Sequence, residues 1–120
     1  MDLNALLLDS MPDIVFAKNL DGRYIAGNAA WAQLLGQPAS SLIGQLDSDL
    51  FPQDLASDFR RNDLEMLESG QPQCNEEWVT FPDGRKALLE TLKTPLHDAV
   101  GRVIGLVGVC REISASRISL

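Results

Sequence analysis

Histidine is nearly missing from this chain: His97 is the only one in 120 residues. A nucleophile with a base beside it is therefore hard to assemble, and acid–base chemistry would fall to carboxylates and lysines. Cysteine is almost as scarce. Cys74 and Cys110 are far apart and match no metal-ligand spacing, which fits a reduced protein without a structural metal. Positive charge is also short, because 10 Lys and Arg against 17 Asp and Glu leave a formal charge of −7. Nucleic acids and anionic membranes both select a basic surface, so neither is expected as a partner. No apolar run approaches the roughly 20 residues that cross a bilayer. The start, MDLNALLLDSMPD, lacks the basic segment and small-residue cleavage site of a signal peptide. These absences lead us to expect a cytoplasmic protein, not an enzyme, with no direct membrane insertion.

What the chain does contain is turn chemistry and apolar pattern enough for one domain with a single core. Asp21-Gly22-Arg23 and Asp83-Gly84-Arg85 repeat one tripeptide, and Asp98–Arg102 is a stretched version of it. Asp-Gly between apolar or alternating runs signals a hairpin, since Gly accepts positive φ and Asp caps the turn. Three such turns predict three antiparallel pairings: Ile14–Asn19 with Arg23–Gly27, Cys74–Phe81 with Arg85–Leu96, and that long strand with Arg102–Ile113. In the last strand Val103, Val107 and Val109 alternate with Ile104, Leu106 and Cys110, which is the pattern of a central strand apolar on both faces.

Between the hairpins the pattern turns helical. Asn28 can cap Ala29–Leu35, with Gly36 as its stop. Short turns are expected around Leu42-Ile43 and Leu50-Phe51, the second capped by Asp47 or Ser48. The longest helix, Gln53–Ser69, places Leu55, Phe59, Asn62 and Met66 on one stripe and Asp63 on its flank. A carboxylate at the margin of a buried face needs a partner. A helix over Leu3–Ser10 carries Leu3, Leu6 and Leu7 on one side. The prediction is an α+β domain: a five-stranded antiparallel sheet in the order 2-1-5-4-3, helices on one face, and an N-terminal helix.

In order and spacing, these pieces resemble a PAS domain, the sensory and interaction module of bacterial signalling proteins. The likeness is carried by Lys18-Asn19-Leu20-Asp21-Gly22-Arg23-Tyr24 with Asn28, by Gly44–Pro52, and by Glu77-Trp78 with Phe81–Arg85. Leu89-Glu90-Thr91, Lys93–Leu96 and the closing Arg111-Glu112-Ile113-Ser114 complete it, the last being similar to the family's Asp-Ile-Thr end motif. The resemblance implies a single PAS domain over 1–120, with a helix over 1–11, a core over 12–114 and the start of a linker over 115–120. It also implies signal transmission through Arg111, Glu112, Ile113 and Ser114 to a covalently linked histidine kinase, diguanylate cyclase or phosphodiesterase, in two-component or cyclic-di-GMP signalling. Glu112 would pair with a basic residue, and Arg85 and Arg102 are both candidates.

Haem PAS domains use a histidine from the long helix, and light-sensing flavin PAS domains use a cysteine among the short helices. This chain has neither at those places, so no cofactor is predicted and an unidentified small-molecule ligand is what the pocket would serve. Its candidate lining is Lys18, Asp47, Phe59, Arg60, Asp63, Trp78, Thr91 and Lys93, with Glu77 beside them. Against this stands a plainer reading, in which Lys18, Arg60 and Lys93 only form structural ion pairs with Asp47, Asp63 and Glu77. Trp31 is expected in the core. Trp78 faces either the pocket or a dimer surface. Leu3, Leu6 and Leu7 are the candidate contacts of a homodimer, and a ligand-free dimerisation module is the alternative to a sensor.

Overall fold

The computed structural model describes residues 2–113. Ser114 of the expected transmission motif, and the expected linker over 115–120, lie outside the described residues. Helix α1 (Leu3–Ser10) leads into a hairpin of β1 (Ile14–Asn19) and β2 (Tyr24–Gly27). Four helices follow: α2 (Ala29–Leu35), α3 (Ala39–Leu42), α4 (Asp47–Leu50) and α5 (Gln53–Ser69). A meander of β3 (Gln73–Thr80), β4 (Lys86–His97) and β5 (Val103–Glu112) completes the sheet. The order is β2-β1-β5-β4-β3 and every pairing is antiparallel, as the turn signals predict.

The turns work as their residues suggest, with one exchange of roles. Gly84 and Gly101 both take φ of 89°, a left-handed backbone that an L side chain resists. Asp83 and Asp98 accept backbone N–H groups across those turns. In the first hairpin the acceptor is Asn19, which takes the N–H groups of Asp21 and Arg23, while Asp21 itself does no capping.

Strand β5 lies at the centre of the sheet, Ile14↔Cys110 on one side and Thr91↔Cys110 on the other. Its inner residues Leu106 and Cys110 are buried under the helices. Its outer residues Val107 and Val109 are only half-covered. Phe16 of β1 and Trp31 of α2 lie against backbone where glycine leaves room: a Cβ on Gly108 would stand 2.2 Å from Phe16 Cζ, and one on Gly27 2.0 Å from Trp31 Cε3. The core joins Ile14, Phe16, Tyr24, Trp31, Leu42, Met66, Val79, Leu89 and Leu106. No helix among the described residues is long and apolar enough to cross a membrane.

Two local expectations are corrected. The buried stripe of α5 is Ala56, Phe59, Asp63 and Met66, so Asp63 sits at its centre rather than its flank. Two lysines of the sheet meet it there, which lets a carboxylate be buried. Asp47 does not cap α4. Asp49 takes that role, accepting the N–H of Leu46, and Asp47 turns into the protein.

Candidate functional site

Period-two alternation decides which strand residues face the helices. On β1 these are Ile14, Phe16 and Lys18; on β4, Leu89, Thr91 and Lys93; on β3, Glu77 and Val79; on β5, Leu106 and Cys110. The chain thereby commits two lysines to the inner face of its sheet. Helix α5 and the start of α4 supply the countercharges. Lys18 Nζ lies 2.5 Å from Asp47 Oδ2 and 2.8 Å from Asp63 Oδ2. The other oxygen of Asp63 lies 2.9 Å from Lys93 Nζ, an ionic pairing off the line of a good hydrogen bond. Asp47 Oδ1 accepts the Tyr24 hydroxyl at 2.6 Å. All of these groups are buried, and Asp63 has no exposed surface.

Aromatic rings surround the cluster. Lys18 Nζ sits 5.0 Å from the Tyr24 ring centre and Lys93 Nζ sits 5.5 Å from that of Phe59. Such contacts help hold ammonium groups away from water. Burial pushes the Tyr24 hydroxyl well above its ordinary range, and the Asp47 carboxylate adds to this. Burial alone would lower Lys93, but Asp63 and Glu77 outweigh it and hold the ammonium above its usual value. Burial pushes the Cys110 thiol up to about 11, so it is an unreactive thiol that accepts a hydrogen bond from Thr91 at 3.3 Å.

Glu77 is different. Its Oε1 lies 3.8 Å from Lys93 Nζ, beyond hydrogen-bond reach, and is buried without a partner. Burial raises its pKa in spite of the nearby ammonium. Trp31 Nε1 is a second buried atom with no partner. Both residues line one cavity of about 40 Å³ between sheet and helices. Lys18, Phe59, Thr91 and Lys93 line it as well, so four of the eight candidate pocket residues meet there. Asp47 and Asp63 stand behind them, holding the lysines. Two candidates stand elsewhere. Arg60 donates to Leu20 O from a surface groove, and Trp78 is 59% exposed on the outer face of the sheet. Trp78 follows Glu77 in an alternating edge strand, so only one of the two can face inward.

The sequence reading passed over Phe16 and Tyr24, which wall the cavity. A signal for both was present: Phe16 shares the period of Lys18, and the hairpin register sets Tyr24 opposite Lys18.

At the end of β5, Arg85 donates to Glu112 at 2.8 Å, which chooses between the two expected partners. Arg111 pairs with Glu90 at 3.1 Å, and Ile113 is buried with its N–H on Leu88 O. Helix α1 is tethered by its C-terminal end, where Asn28 donates to Leu8 O and Asp9 accepts the N–H of Ala29. Its Leu3, Leu6 and Leu7 are exposed.

A five-stranded antiparallel sheet in this order, helices across one face and a cavity between them define a small α+β module. The chain belongs to the PAS fold family, whose model matches residues 8–118. It is 33% identical over 107 residues to the aerobic respiration control sensor protein ArcB of Escherichia coli K12, covering 89% of this chain and 14% of that protein. It is 33% identical over 114 residues to a diguanylate cyclase of Vibrio cholerae, covering 93% of this chain and 36% of the cyclase. The chain thus spans about a seventh and about a third of the lengths of these two relatives. Among solved structures, the PAS domain of Bordetella pertussis BvgS superposes with a TM-score of 0.78 at 20% identity, covering 96% of this chain and 88% of that one.

Proposed function

We propose that this PAS domain is a cytoplasmic sensory module that takes a small molecule into the cavity between sheet and helices. The observation that carries the reading is the pair of buried polar atoms without partners, Glu77 Oε1 and Trp31 Nε1, on the walls of one cavity. A core packed for stability alone pairs or removes such atoms, because each costs about 1–3 kcal/mol. The guest would reach the strand that leaves the domain: Thr91 and Cys110 touch both the cavity and each other, and Cys110 directly precedes Arg111-Glu112-Ile113. On this reading the signal runs along β5 into a linker beginning near 115 and an output domain. The diguanylate cyclase relative favours that output, and a histidine kinase and a phosphodiesterase are the other classes the family resemblance implies. Dimerisation through Leu3, Leu6 and Leu7 is the proposed route of transmission.

Native mass spectrometry and thermal shift of the purified chain against a metabolite panel test the sensor. A retained mass or a reproducible rise in the melting temperature is expected. No retained mass and no shift across the panel would remove the ligand from the account. The second reading, a ligand-free dimerisation module, draws on the small cavity and on the three exposed leucines of α1. Light scattering at high concentration tests the dimer, with Leu7→Glu expected to shift it toward monomer.

A further inference from the structure

The polar end of the cavity restricts what could fill it, and this step rests on the sensory reading above. Lys93 Nζ and Glu77 Oε1 face each other across 3.8 Å, too far to bond and near enough to be bridged. Lys93 spends its ammonium on Asp63 and retains donors, while Glu77 Oε1 accepts nothing. A cationic guest at Glu77 would lie against the Lys93 ammonium. An anionic guest at Lys93 would lie against Glu77 and Asp63. At a few ångströms in a dry site either repulsion is large. A zwitterion could answer both charges, but burying two further ions in a dry, ring-lined cavity is costly, so an uncharged guest suits the site best. The walls beyond the polar end are the rings of Phe16, Tyr24, Trp31 and Phe59, which favour a flat molecule.

We infer that the guest is a small, flat, uncharged molecule whose edge sets a hydrogen-bond acceptor beside an N–H donor, as in a lactam. Its acceptor takes a proton bond from Lys93 Nζ and its N–H donates to Glu77 Oε1. At about 40 Å³ the cavity holds a few waters. A ring needs on the order of 150 Å³. Leu34 and Phe51 supply the difference. Both are half-buried, and both also line an outer groove of about 340 Å³, so moving them joins cavity to groove.

The test titrates the whole chain with 2-pyridone, N-methyl-2-pyridone, toluene, benzoate and benzylamine, followed by calorimetry or NMR. N-methyl-2-pyridone keeps the shape and acceptor and lacks the donor. We expect it and toluene to bind about tenfold or more weakly than 2-pyridone, the worth of one charge-assisted hydrogen bond. Glu77→Met should abolish that preference, and Leu92→Ala on the outer face should preserve it. The comparison of probes on the unaltered chain stands even if Glu77→Met fails to fold. Equal binding of 2-pyridone, its N-methyl form and toluene would keep the cavity as a ligand site and overturn the lactam edge. Tighter binding of benzoate or benzylamine would overturn the neutral class. Binding of none would overturn this inference, while the metabolite panel decides the sensory reading separately.

Discussion

The inner charge cluster and the ion pairs at the end of β5 both join a carboxylate to a basic side chain at similar distances. Asp63 meets Lys18 and Lys93 at 2.8 and 2.9 Å; Glu112 meets Arg85 at 2.8 Å. Their surroundings separate them. The Asp63 side chain is wholly buried, while those of Glu112 and Arg85 keep about half of their surface in water. Breaking a buried pair strands a charge without solvent, whereas an exposed pair returns its partners to water. The same chemistry therefore fixes the core at one end of β5 and leaves an easily rearranged contact at the other. On the sensory reading proposed above, that division gives the cavity a fixed polar end and the domain a labile exit.

The largest effect is expected where one group serves two partners. Asp63→Ala leaves Lys18 and Lys93 short of a countercharge in the core and should cost about 3–5 kcal/mol in urea unfolding. A cost below about 1 kcal/mol would mean that the cluster is hydrated and not a buried network. Tyr24→Phe is next, since it takes one donor from the buried Asp47 carboxylate; a loss of about 1–3 kcal/mol is expected by the same measurement.

Glu77 gives a test of sign. Burial raises its folded-state pKa above the unfolded value, so its contribution to stability is full below the unfolded carboxylate range and lost as pH rises through the folded pKa. Glu77→Gln should therefore be as stable as the parent or up to about 1 kcal/mol more stable near pH 8, with the gap closing as pH falls toward 4. A variant less stable than the parent near pH 8 would show that Lys93 stabilises the carboxylate more than burial opposes it. The smallest effect belongs to the exit. Glu112→Gln should change stability by less than about 1 kcal/mol, and salt should shrink that difference further. A larger, salt-insensitive loss would erase the contrast between the two ends.

Most of the architecture was legible because turn residues and period-two alternation are local signals. The three Asp-Gly-type turns set the hairpins, and the two-faced apolar pattern of Val103–Cys110 put the last strand in the middle. The helix stripe was legible only in part. Periodicity ranks residues by apolarity, so it pushed Asp63 aside, when the lysines that draw it inward come from β1 and β4, distant in sequence. Asp47 was read as a cap for the same reason: its partners Lys18 and Tyr24 lie more than twenty residues away. Lys18, Thr91 and Lys93 were found because polar residues on an inward register stand out. Arg60 and Trp78 have the right composition for a pocket but point elsewhere, and only the packing of α5 and the edge alternation of β3 reveal it.

Shift mapping by NMR, with 2-pyridone added to the isotope-labelled chain, tests most directly whether the inner face is the receiving side. The account predicts perturbations at Phe59, Glu77, Thr91, Lys93 and Cys110, with Cys74 and Leu92 on the outer face unmoved. Shifts confined to Cys74 and Leu92, or no shifts at all, would contradict it.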